Sequence, residues 1–298
     1  MPGSTIAELA AEVGPAVIGL REGSRGGSGV IVAAGVAVTL ARNVDRDELT
    51  VRVGNVEVAA RVAGTDQTVD LAVLRFESPP SSAKPVGWAA DGGAGIGLEV
   101  YALADPSGRG LRASHGTVSS APIGLRGPAG RIIEGAIEHT APLPRGSGGS
   151  PLLNADGLIL GLNAIRRDEG FLVAWPAAVL RDRVAELAAG ARTAPPRLGV
   201  ALVGPRQARR LRAAVGLEPV DGLLVRAVEE GSPADRAGIA RGDVIVAVDG
   251  TPLTGPDPLY SALDRAGGRE LELDVVRGTD RLTLTTRLEA GDEHRDDG

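Results

Sequence analysis

The chain contains no cysteine, and its 298 residues hold only two tryptophans, two tyrosines, two phenylalanines and one methionine. Without cysteine there are no disulfides and no thiolate-ligated metal sites, although this does not identify a compartment. With aromatics at 2%, any core must be built from Ala, Val, Leu and Ile, and an apolar content of 43% is sufficient for that. No run of about 18 or more apolar residues is long enough to span a bilayer as a helix. Lys/Arg-rich runs with interleaved aromatics are also missing. Together with a net charge of −6 and a pI of about 5.3, this excludes the usual electrostatic footprint of a nucleic-acid binder. The short cluster Arg206, Arg209, Arg210 and Arg212 reads as the solvated face of a helix. Only three histidines are present. His294 lies in a charged C-terminal stretch, and no spacing suggests a metal site or a cofactor. The N-terminus shows no basic segment followed by an apolar run of 7–15 residues. Two readings of its address follow: cytoplasmic, or exported or anchored with its signal removed.

Glycine, by contrast, is abundant. Its 43 copies suit short strands joined by tight turns. A length near 300 residues favours two domains. Thr5-Ile6-Ala7-Glu8 reads as a capping box opening a short helix, with Ile6, Leu9, Ala10 and Val13 on one face. Strands are expected at 17–20, 29–32, 36–40, 49–53, 56–62 and 71–76. A further set is expected at 99–104, 116–120, 132–137, 158–163 and 171–174. Such regular strand–turn spacing indicates a sandwich or barrel. An amphipathic helix with Val179, Leu180, Val184 and Leu187 ends at Gly190. Residues 191–196 (Ala-Arg-Thr-Ala-Pro-Pro) read as a linker, 197–290 as a second domain, and 291–298 as a charged, disordered tail.

Several segments, in order, resemble the HtrA/DegP-type trypsin-like serine proteases. They are Gly27-Ser28-Gly29-Val30-Ile31-Val32, Val38-Thr39-Leu40-Ala41-Arg42-Asn43-Val44, Asp70-Leu71-Ala72-Val73-Leu74, Gly116-Thr117-Val118-Ser119, Gly146-Ser147-Gly148-Gly149-Ser150-Pro151-Leu152, and Val173-Ala174-Trp175-Pro176. The resemblance implies a mainly β protein over residues 1–190, with two six-stranded barrels and an active site between them. The family's nucleophile loop reads G-N-S-G-G-P-L. Anchored on Pro151-Leu152, this places Gly148 at the nucleophile position. The family's V-T-N-A-H-V-V places Arg42 at the base position, and Asp70 matches the triad acid. A serine hydroxyl needs an adjacent base, and a third group must orient that base. Arginine stays protonated up to about pH 12 and cannot be the base, and glycine offers no nucleophile. The resemblance therefore implies a pseudoprotease, with an Arg42–Asp70 contact in place of the triad. A shifted register is the competing reading. If Ser150 is an insertion, Ser147 becomes the nucleophile, with neither His115 nor His139 standing at the base position. The oxyanion donors, backbone N–H groups of Gly146 and residue 148, need no side chain.

From Leu198 onward the chain resembles a bacterial PDZ domain, an α+β module. The segments are Asp221-Gly222-Leu223-Leu224-Val225, Gly231-Ser232-Pro233-Ala234, Ala237-Gly238-Ile239, Arg241-Gly242-Asp243-Val244-Ile245 and Val248-Asp249-Gly250. Such a domain adds an extended peptide at a sheet edge. The resemblance implies a carboxylate loop at Leu198, Gly199 and Val200 and a pairing strand at Val200, Ala201 and Leu202. It also implies a helix wall carrying Leu259, Tyr260 and Leu263, which serve equally well as core residues. Expected partners are C-terminal peptides or unfolded proteins. The expected role is adaptor or chaperone-like. The alternatives are an active endopeptidase using Ser147 and a subunit modulating an active paralogue. The resemblance further implies a trimer held by N-terminal aromatics. Met1–Leu20 contains none, which weighs against that assembly.

Overall fold

A computed structural model describes residues 5–21, 26–76, 78, 83–127, 132–167, 170–193, 197–266 and 269–288. The chain forms two compact units, Met1–Thr193 and Ala194–Gly298. The expected tail at 291–298 lies outside the described residues.

The first unit opens with α1 (Ile6–Val13). Its capping box is present: Thr5 Oγ1 accepts from Glu8 N and Thr5 N donates to Glu8 Oε2. Such a cap contributes about 1 kcal/mol. Leu9 and Val13 carry the buried face. Six strands follow: β1 (Val17–Leu20), β2 (Gly27–Ala33), β3 (Val36–Thr39), β4 (Glu48–Val53), β5 (Val56–Asp66) and β6 (Leu71–Phe76). They pair antiparallel in the order β5-β4-β1-β2-β3-β6, and β5 pairs back with β6 to close a barrel. β1 and β3 are buried along their whole length, so they read as continuous apolar runs rather than alternating ones. The two-residue turn at 54–55 sets the β4–β5 register, with Val53 opposite Val56.

The second barrel comprises β7 (Glu99–Ala104), β8 (Arg112–Arg126), β9 (Ile132–His139), β10 (Pro151–Leu153), β11 (Ile159–Arg166) and β12 (Leu172–Pro176). It closes in the order β10-β11-β12-β9-β8-β7. The protein is thus mainly β, with two closed six-stranded barrels. Helix α2 (Ala177–Ala188) follows. Arg192–Thr193 then adds β13 in parallel to β5 at Thr65–Asp66, so part of the segment read as a linker is strand. The core is aliphatic, with Trp175 its largest fully buried side chain.

The second unit is a sheet ordered β14-β15-β16-β18-β19. Its strands are β14 (Val200–Val203), β15 (Leu223–Val228), β16 (Val244–Val248), β18 (Glu270–Arg277) and β19 (Asp280–Arg287), with β17 (Thr251–Pro252) pairing β16. Helices α3 (Pro205–Ala214), α4 (Pro233–Arg236) and α5 (Asp257–Arg265) accompany it. One expectation fails on α3. Arg212 is buried, not solvated, because its guanidinium donates to the carbonyls of Glu218 and Gly278. Asp243, 1% exposed, takes a two-pronged ion pair from Arg277, with both contacts at 2.8 Å, and a third bond from Ala240 N. No described helix is long and apolar enough to cross a membrane.

Candidate functional site

Strand β3 ends at Thr39. After Leu40 the chain makes one 3₁₀ turn, Ala41–Asn43, which carries Arg42. Asp70 precedes β6 with φ +56°, and its backbone carbonyl accepts from Ala41 N at 3.1 Å. The two segments are thereby held together. Asp70 Oδ1 accepts from Arg42 N at 3.2 Å, and Oδ2 lies 3.2 Å from Arg42 Nη2. The Asp70 carboxylate is 3% exposed and the Arg42 side chain 32%. Burial pushes the Asp70 pKa up, and the Arg42 charge and its backbone N–H oppose that shift. The Trp175 indole on β12 also favours the carboxylate form, although its N–H reaches no full hydrogen-bond geometry.

Arg42 also crosses to the second barrel, where Nη2 donates to the carbonyl of Ala164. The β11–β12 register slips between Asn163 and Ile165, so Ala164 is the extra residue of a bulge. Asn43, next to Arg42, makes a second crossing. Its Nδ2 donates to Gly148 O at 2.8 Å and to Thr39 Oγ1 at 2.9 Å. Gly148 O also accepts from Ser28 N at 2.9 Å.

The loop of residues 146–150 is fixed from several sides. Ser107 N donates to Gly146 O, Gly149 N to Asn163 O and Asn163 N to Ser150 O. Gly149 has φ +90°, and a Cβ there would lie 2.3 Å from Ser28 O. A Cβ on Gly148 would meet only Leu40 Cδ1, at 3.3 Å. Among the described residues the N–H groups of Gly146 and Gly148 have no acceptor. Ser147 is 4% exposed, and its Oγ is buried without a hydrogen-bond partner among them.

The structure brings Arg42, Asp70 and the 146–148 loop to one seam between the barrels. Neither candidate histidine bonds to them. His139 is fully buried, its Nε2 2.8 Å from Asn163 Oδ1, and Asn163 Nδ2 donates in turn to Ser150 O and Oγ. Burial lowers the His139 pKa to about 4, so the ring is neutral. His115 is half exposed on β8, beside Glu99 and tilted against Tyr101. Asn43, Ala164 and the exposed Arg145 were missed by sequence reasoning. Only Asn43 had a signal, as the polar neighbour of Arg42.

In the second unit, β14 lies at the sheet edge. Ala201 is exposed, while Val200 and Leu202 are half-buried against the core. Leu198 is a core side chain, so only its backbone is available to a ligand; its carbonyl accepts from Ala234 N. Leu259 and Leu263 are likewise buried in the core, and Tyr260 is half-buried against it. Gly199 has φ +78°, and a Cβ there would fall 2.2 Å from Ser232 Cβ. A side chain at 199 therefore collides with the cap of α4 and is not tolerated by the fold.

These features define a trypsin-like double barrel followed by a PDZ module. Residues 27–162 match the family described as a trypsin-like peptidase domain, and residues 224–277 match the PDZ domain. The chain is 36% identical to the putative serine protease HhoA of Synechocystis over 281 residues, covering 88% of this chain and 70% of that one. It is 27% identical to the serine protease Do-like HtrA of Bacillus subtilis, covering 80% and 56% of the two chains. It is 29% identical to a probable periplasmic serine endoprotease DegP-like of Pseudomonas fulva, covering 93% and 58%. The chain thus spans little more than half the length of the last two. The HtrA-type protease AlgW with decapeptide has the same fold, with a TM-score of 0.65 at 21% identity over 97% of this chain and 99% of that one. The chain belongs to the HtrA/Do-like serine protease family.

Proposed function

We propose that this chain is a non-proteolytic member of its family that holds peptides or unfolded proteins through its PDZ unit, as an adaptor or chaperone-like factor. The observation that carries this reading is the Arg42–Asp70 contact. A permanently charged guanidinium stands against the carboxylate where the family has an imidazole. Gly148 supplies no nucleophile, the Ser147 hydroxyl is buried, and His139 and His115 adjoin other groups. The exposed edge strand β14 supports peptide addition.

The second reading, a working serine endopeptidase using Ser147, is favoured by the names of the relatives, which are those of proteases. A fluorophosphonate probe with mass spectrometry, run beside turnover of unfolded casein, separates the two. We expect no adduct and no turnover. A stoichiometric adduct on Ser147 sinks the first reading. Peptide binding is tested by titrating the full chain with peptides ending in an apolar residue, as free acids and as amides. Preference for the acid, with shifts at the Gly199 amide, is the expected result.

A further inference from the structure

We infer that strand β19 is a second interaction edge of the PDZ unit and that its partner is β19 of a second copy of this chain, paired antiparallel about a two-fold axis at Thr283. The sheet runs β14-β15-β16-β18-β19, so it has two edges. β19 is the longer of the edge strands, at eight residues, and β18 is its one described strand partner. Their pairing starts at the two-residue turn Gly278-Thr279, with Arg277 opposite Asp280, and continues without a register shift to Glu270 opposite Arg287. Antiparallel pairs alternate between hydrogen-bonded and non-bonded types. With Arg277 and Asp280 as the bonded pair that closes the turn, Leu282 and Leu284 bond inward to β18. The N–H and C=O groups of Arg281, Thr283 and Thr285 then point away from it. Thr283 Oγ1 donates to Asp274 Oδ1 at 2.9 Å, which fits a close, non-bonded pair at that position. Among the described residues nothing bonds the outward amides and carbonyls of 281, 283 and 285. All three side chains are exposed.

Edge strands are ordinarily guarded by proline, lysine, a bulge or short length. Residues 282–286 read Leu-Thr-Leu-Thr-Thr, without charge or proline, and their ladder has no bulge. Such an edge recruits another strand, and the side chains of β19 select β19 itself. A two-fold axis normal to the sheet keeps like faces together. With the axis at Thr283, Leu282 of each copy lies opposite Leu284 of the other, and both leucines are only half-buried in a single chain. On the other face Thr283 meets Thr283 of the second copy, and Arg281 meets Thr285. Apolar and Thr–Thr cross-strand pairs of this kind are favourable. An axis at Leu284 would instead set Arg281 against Arg287 of the second copy, a like-charge pair. An axis at Leu282 would set Asp280 against Leu284 and keep a single leucine pair. The Thr283 register forms about six backbone hydrogen bonds. That is a small interface, so association at about 1–100 μM is expected rather than an obligate dimer. β14, at the other end of the sheet order, stays open.

The test uses the full chain in sedimentation velocity across the micromolar range, beside amide hydrogen exchange read by NMR at both ends of that range. The expected result is a species whose stoichiometry doubles with concentration. Slowed exchange at the Arg281, Thr283 and Thr285 amides should accompany the larger species only. Thr283→Lys places two ammonium groups at the axis and should weaken association about tenfold or more, while Thr283→Ala should retain it. The Leu282 and Leu284 amides, bonded inward, should stay protected in Thr283→Lys and so report an intact sheet. A mixture of Thr283→Lys and Thr283→Glu chains should associate again, because the axis then joins opposite charges. No doubling at any concentration, or doubling that Thr283→Lys leaves unchanged, would overturn the pairing. Protection of the three outward amides that does not vary with concentration would give the edge to another stretch of the same chain, and would overturn it equally.

Discussion

The Arg42–Asp70 pair should respond asymmetrically to deletion of its two members. Asp70 is 3% exposed, whereas Arg42 is 32% exposed and also bonds to Ala164 O. Arg42→Leu leaves a carboxylate that water barely reaches, supported by the residue-42 N–H and the Trp175 indole. Stranding a buried charge costs about 3–5 kcal/mol. Asp70→Asn leaves a guanidinium that still meets solvent and the Ala164 carbonyl, so a cost of about 1 kcal/mol is expected. The double variant should be more stable than Arg42→Leu alone, because the stranded charge is gone.

Both tryptophans, Trp88 and Trp175, lie in the first unit, so their fluorescence in a thermal melt reports that unit alone. For a unit of this size about 2–4 °C of Tm corresponds to 1 kcal/mol, so Arg42→Leu should lose on the order of 10 °C. The pH dependence fixes the sign. Burial already raises the Asp70 pKa, and removing Arg42 raises it further. A carboxyl whose folded pKa exceeds its unfolded value stabilises the fold below that unfolded value. The stabilisation is lost as pH rises through the folded pKa. Arg42→Leu should therefore lose stability relative to the parent progressively as pH rises above the ordinary carboxyl range. Equal costs for the two single variants, or strict additivity in the double, would refute the assigned burial asymmetry.

Single repairs of the site should fail, since members of a triad act together. Arg42→His alone and Gly148→Ser alone should leave casein turnover at background, the latter also displacing Leu40 Cδ1 from its 3.3 Å approach; substantial turnover from either would show the site to be misplaced. His139, neutral and buried with its pKa lowered to about 4, binds its proton more readily when unfolded. Stability should then fall as pH drops from about 6.5 towards 4, by about 2–3 kcal/mol at most, and His139→Gln should flatten that slope in urea midpoints. Gly199→Ala should destabilise the second unit by about 2 kcal/mol or more, through strain at positive φ and collision with Ser232; unchanged hydrogen exchange in β14–β15 would contradict this. Arg277→Met strands Asp243 and should cost about 3 kcal/mol, with the added Arg277→Met/Asp243→Asn variant recovering much of it.

Much of the fold was legible because apolar periodicity reports burial directly. The strands at 17–20, 71–76 and 99–104 stand where the sequence places them. The misses have specific causes. β10 is only three residues long, too short to carry a period, and it forms because β7 and β11 flank it. β5 runs on to Asp66 through Ala63, Gly64 and Thr65, a stretch without apolar alternation whose pairing with β6 is a tertiary matter. Arg212 looked solvated because helical spacing cannot reveal that the carbonyls of Glu218 and Gly278 close over it. At the site, the Arg42–Asp70 contact followed from two motif registers. The Asn43 clamp on Gly148 did not, because nothing in either segment says that they touch.

That clamp bears on why the loop keeps its shape. A glycine at 148 enlarges the backbone freedom lost on folding and leaves the turn without an anchoring side chain. The structure supplies two compensating bonds to the same carbonyl, one from Ser28 N and one from Asn43 Nδ2, and both reach across from the first barrel. Arg42, one residue before Asn43, makes its own crossing to Ala164. One 3₁₀ turn thus ties the barrels at two points, and neither tie requires a proton-transfer group. Ser150 N closes the same loop onto Ser147 O, so the turn at 148 is specified by backbone bonds and by donors from the first barrel rather than by a side chain of its own.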